Sequence, residues 1–96
     1  MGASVSDEPV EVLVESIFPV PGRGIIAVGS VMSGNMIAGQ DVWVVRPDGT
    51  ALATIVRGIE MTPFRAHRPD RISFLLGEEA DDFLTAGTLV RDRMPE

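Results

Sequence analysis

The side chains best suited to chemistry in this chain fall into three groups. Pro21-Gly22-Arg23-Gly24 is glycine-rich and offers backbone amides that a phosphate could meet. The run Arg65-Ala66-His67-Arg68-Pro69-Asp70-Arg71 holds the single histidine. Glu78, Glu79, Asp81 and Asp82 gather four carboxylates within five residues.

Each group is measured against what its chemistry requires. A phosphate loop needs Gly, four residues, then Gly-Lys-Ser or Gly-Lys-Thr opening a helix. The chain has no lysine, and the residues after Gly24 read as strand, so this stretch is expected to be a hairpin turn. Gly22, Gly24 and Gly29 do not match dinucleotide-binding spacing either. Around His67, three guanidinium groups favour a neutral imidazole and repel a metal cation. With no cysteine, thiolate nucleophiles, disulfides and Cys-based zinc sites drop out together. No serine stands in a recognisable nucleophile setting. The expectation is a protein that is not an enzyme, with no catalytic residue, no cofactor and no metal.

Charge leaves one feature standing. Fourteen Asp and Glu against eight Arg give a net charge of −6. Residues 57 to 71 run the other way, with Arg57, Arg65, Arg68 and Arg71 against Glu60 and Asp70. Arg65, Arg68 and Arg71 are therefore candidates to meet a phosphate-bearing group or an acidic partner. The overall acidity argues against DNA and against general nucleic-acid binding, because backbone affinity grows with the number of phosphates neutralised.

The elements that must position these groups are mostly strands. Ninety-six residues fit one domain, and nineteen Val and Ile against six Leu favour pleated surfaces. Strands are expected at Val10 to Phe18, Ile25 to Ser33, Asp41 to Arg46, Thr50 to about Glu60, Ile72 to Leu76 and Thr88 to Arg91. Pro19 should end the first, Pro47-Asp48-Gly49 suits a tight turn, and Glu78 to Leu84 suits a helical turn with its acids near the N-terminus. Residues 1–8 and 94–96 read as tails around a domain at 9–93, and Met61 to Pro69 as a loop. Six short strands with almost no helix predict an all-β fold, a small closed antiparallel barrel.

Strands three and four are apolar on both faces. Val42 and Val44 alternate with Trp43 and Val45, while Ala51, Ala53 and Ile55 oppose Leu52, Thr54 and Val56. One apolar set must lie outside the barrel, covered by the chain's own tails or by a docking partner or second copy. No apolar run approaches the roughly 18 residues of a membrane span, and no basic cluster leads an apolar stretch at the start. A cytoplasmic protein without membrane contact is expected.

A longer pattern adds to this reading. Val14-Glu15-Ser16-Ile17-Phe18-Pro19-Val20-Pro21-Gly22-Arg23-Gly24 is followed by Ala27-Val28-Gly29-Ser30-Val31, Gly39-Gln40-Asp41-Val42, Gly58-Ile59-Glu60-Met61 and Ala86-Gly87-Thr88-Leu89-Val90. In this order the pieces resemble the second domain of elongation factor Tu-type translational GTPases, over about 80 residues. The resemblance implies the six-stranded translation-protein barrel. It places Phe18 where an aromatic residue lines the aminoacyl pocket, Glu60 where a Glu lies against the terminal adenosine of tRNA, and Arg23 in the interdomain loop. Thr62-Pro63-Phe64 stands where that family has a Phe-Arg pair, and Arg71 falls near a pocket Asn.

No phosphate loop, Mg²⁺-binding Asp motif or guanine-reading Asn-Lys-x-Asp occurs in the chain. The chain therefore reads as a stand-alone copy, or an excised piece, of a module that works without its GTPase neighbour. The first functional expectation is a non-catalytic adaptor. It would dock on a protein partner, a GTPase or ribosome-associated factor, through a surface that includes Arg23, Trp43, Val45 and Ile55. One alternative keeps Phe18, Glu60, Arg65, Arg68 and Arg71 as contacts to an aminoacylated tRNA end or another RNA. Another is a self-associating regulatory or immunity-type protein that forms homo-oligomers.

Overall fold

Valine at every second position fixes the inside of the fold. In the computed structural model, which describes residues 9–60 and 71–93, the first strand β1 (Glu11–Val20) turns Val12 and Val14 inward to full burial. The chain continues through β2 (Gly24–Ser33), β3 (Asp41–Val45), β4 (Ala51–Glu60), β5 (Arg71–Leu76) and β6 (Leu89–Arg91). These close into an antiparallel barrel in the order β1-β2-β5-β4-β3-β6. Its centre holds Val12, Val14, Val42, Val44, Val56, Phe74, Leu76 and Val90, all nearly or completely buried. Each such side chain stabilises the barrel by about 1.5–3 kcal/mol relative to exposure.

Turn chemistry follows the residues. Pro21 and Gly22 occupy the middle of a turn closed by the Arg23 amide donating to the Val20 carbonyl at 2.9 Å, with Gly22 at φ 80°. Proline then a positive-φ glycine is the type II arrangement, so the glycine-rich stretch is the hairpin joining β1 and β2. Between β3 and β4, the Asp48 carboxylate accepts from the Thr50 amide at 3.0 Å and its hydroxyl at 2.7 Å.

Two expectations are corrected. The first strand does not stop at Phe18 but runs through Pro19 to Val20. β6 pairs β1 only at residues 11 to 13, so Pro19 lacks an amide where that edge has no strand to receive it. The expected helical turn over 78 to 84 is a 3₁₀ turn, Glu78–Ala80, followed by a non-helical turn. Ala80 and Leu84, four residues apart, both plug the core, and the Leu84 amide donates to the Ala80 carbonyl at 3.0 Å. The expected loop at 61–69 and tails at 1–8 and 94–96 lie outside the described residues.

Three bulges depart from strict alternation. Between β1 and β2, the pairing passes from Glu11 opposite Ser33 to Val12 opposite Val31, leaving Met32 as the extra residue. Against β2, β1 passes from Val14 opposite Gly29 to Ser16 opposite Val28, leaving Glu15 as the extra residue. Against β5, β4 passes from Val56 opposite Leu76 to Gly58 opposite Leu75, leaving Arg57 as the extra residue. Bulges bend a strand and re-aim its side chains. Of the three extra residues, Glu15 and Arg57 are charged, and Met32 is exposed.

Candidate functional site

Register across the barrel brings distant residues into rows. Phe18 lies opposite Ile26, Ile26 opposite Leu75, and Leu75 opposite Gly58. In the neighbouring row, Ser16, Val28, Ser73 and Glu60 are successive partners. Directly opposed residues of antiparallel strands share a face, and these rows alternate with the inward row of Ile17, Ala27, Phe74 and Ile59. Phe18 and Glu60 thus belong to one outer face of β1, β2, β5 and β4. Phe18 is 51% exposed, whereas Ser73 is fully buried and its hydroxyl has no hydrogen-bond partner among the described residues.

Arg23 joins this face rather than an apolar one. From the β1–β2 turn its guanidinium forms an ion pair with the Glu60 carboxylate at the end of β4. Gly22, Arg23, Arg57, Gly58, Glu60 and Leu75 line a cleft of about 250 Å³. At the start of β5, Arg71 pairs with Glu15 at 2.9 Å, and the same carboxylate accepts from the Ser30 hydroxyl at 2.6 Å. Arg71 is therefore engaged in a cross-strand network on β1, β2 and β5. Arg65, Arg68 and His67 lie outside the described residues.

The other outer face is apolar. Trp43 lies opposite Ala53 and Val45 opposite Ala51, with Ile55 beside Asp41. On the far side of β3, Trp43 faces Arg91 and Val45 faces Leu89. Trp43 and Val45 are half-buried, Ala51 and Ala53 are exposed, and Ile55 keeps 40% of its surface. Arg91 closes one margin through an ion pair to Glu11 at 3.1 Å. So Trp43, Val45 and Ile55 are brought together, and Arg23 stands apart from them.

Local polar chemistry holds the barrel end in place. Thr54 donates to the Glu79 carboxylate at 2.6 Å and accepts from the Gly77 amide at 3.2 Å. That hydroxyl, helped by the Glu79 backbone amide, holds the Glu79 carboxyl below its ordinary range. The Thr50 hydroxyl and amide do the same for Asp48. Arg46 stacks 4.1 Å from the Phe83 ring centre while donating to the Phe83 and Asp82 carbonyls.

Sequence reasoning gave Arg57 only as part of a basic run and Glu15 only as an outward strand residue. Their places on bulges give them their roles, and no residue type marks a bulge in advance. Among the described residues no group of His, Cys, Asp and Glu is arranged to hold a metal ion, and no helix is long and apolar enough to cross a membrane. No protein-family model matches the chain.

Proposed function

We propose that this chain is a non-catalytic binding module of the kind that forms the second domain of elongation factor Tu-type GTPases, and that it docks on a protein partner through the outer face of β3 and β4. The observation that carries the reading is the side-by-side placement of Trp43, Val45, Ala51, Ala53 and Ile55 outside the core. Apolar strand faces on both sides are what a barrel shows when a second body covers its exterior. A partner of GTPase type follows from the family resemblance and from a sequence that lacks every nucleotide-binding motif of its own. The test is co-elution with a translational GTPase lacking its second domain, in the wild type and in Ile55→Asp. Binding that disappears in the variant supports the reading. Equal binding by both removes this face from the interface, and no binding by either removes the GTPase partner.

The placement of Phe18 and Glu60 on one outer face favours a second reading, in which that face receives the aminoacyl-adenosine end of tRNA. An exposed aromatic ring offers stacking and a carboxylate accepts hydroxyl or amino donors. Titration with charged and uncharged tRNA at low salt tests it. Preference for the charged form, lost in Phe18→Ala, supports it. Equal binding of random RNA reduces it to charge alone.

A further inference from the structure

Beyond both readings, we propose that the cleft between the β1–β2 turn and the 3₁₀ turn binds an α-amino acid zwitterion, its carboxylate on Arg57 and its ammonium on Asp81. The cleft measures about 480 Å³ and is lined by Arg23 and Arg57 together with Glu78, Asp81 and Asp82. Arg57 forms no hydrogen bond or ion pair among the described residues, and neither do the side chains of Glu78, Asp81 and Asp82. Opposite charges thus line one cleft without forming an ion pair to one another among the described residues.

Gly24 explains the gap. A Cβ at that position would sit 3.8 Å from an Arg57 guanidinium nitrogen and 3.8 Å from an Asp81 carboxylate oxygen. The two atoms lie within 4 Å of one empty point, yet they do not form an ion pair. A group that accepts on one side and donates on the other, across adjacent carbons, spans such a gap with charge-assisted hydrogen bonds at both ends. Closing the gap by direct pairing gains little at an exposed position, so a ligand displaces little.

Charge decides the ligand class. A phosphate would meet three carboxylates, and a metal cation would meet two guanidiniums where no metal-holding cluster exists among the described residues. A ligand carrying both signs satisfies both sets of side chains. The bulge at Arg57 keeps its side chain out of the strand rows, and the missing side chains of Gly22 and Gly24 leave the floor open.

An amide-resolved NMR titration of the full chain with glycine tests this. Saturable shifts confined to residues 22–24, 57–58 and 78–82 are expected. Glycinamide, which lacks the carboxylate, and N-acetylglycine, which lacks the ammonium, should each bind about tenfold more weakly or worse, the loss of one charge-assisted hydrogen bond. Arg57→Gln and Asp81→Asn should each weaken glycine to the same degree. The proposal is overturned by the absence of saturable shifts, by shifts centred on Phe18 or Ile55, or by either analogue binding as tightly as glycine. The analogue series needs no variant, so a misfolded mutant does not shield the proposal. Loss of GTPase or tRNA binding leaves it untouched.

Discussion

Thr54 ties two elements together through one hydroxyl. Its hydrogen goes to Glu79 and its lone pair takes the Gly77 amide, which is buried at the end of β5. In Thr54→Val both bonds are lost while the shape is nearly kept. The Gly77 amide keeps its bond to the Ile55 carbonyl at 3.0 Å, so no donor is orphaned and the loss in a denaturant melt is that of ordinary hydrogen bonds, about 0.5–1.5 kcal/mol. The Glu79 carboxyl should rise toward its ordinary value of 4.5, read from its side-chain carbon shift against pH. Because its folded value is lowered, Glu79 contributes stability that is complete above that ordinary value and is lost as pH falls through the folded one. Asp48 acts in the same direction below its ordinary 3.8. Acid should therefore destabilise the wild type below about pH 4.5, and Thr54→Val should show a shallower acid limb.

At the scale of elements, β1 and β2 approach so closely that one position admits no side chain. A Cβ at Gly29 would lie 2.4 Å from the Leu13 carbonyl oxygen and 2.9 Å from a Val12 methyl, so backbone would have to give way. Gly29→Ala is expected to cost about 3 kcal/mol. Gly58→Ala, whose added methyl meets open space, is the control and should change stability by about 0.5 kcal/mol or less. Paired urea melts read the difference directly. The strands themselves were legible, because Val10, Val12 and Val14 alternate with Glu11 and Glu15, and Trp43 and Val45 alternate with buried valines. The bulges were not, since one extra residue leaves the composition unchanged. Nor was the Arg23–Glu60 pair, which spans 37 positions and depends on β2 and β4 both lying beside β5. Local pattern records which face a residue takes. It does not record which strand lies beside it.

For the whole molecule, charge and the apolar face act against each other. At neutral pH the net charge of −6 makes copies repel, and that repulsion opposes contact through Trp43, Val45 and Ile55. Near the sequence pI of about 4.6 the repulsion vanishes while the apolar face is unchanged. Light scattering should then report association as pH is lowered toward that value, and added salt at pH 7 should move it the same way by screening. Ile55→Asp places a second charge at the Asp41 end of the face and lowers the pI slightly. If that face drives contact, the variant should stay monomeric at the pH where the wild type associates. Association of both to the same extent would mean that charge neutralisation alone, acting over the whole surface, brings the copies together. Since β4 keeps Thr54 and Val56 buried on its inner side, the substitution leaves the core intact, and a melt at neutral pH close to that of the wild type confirms that only the exterior has changed.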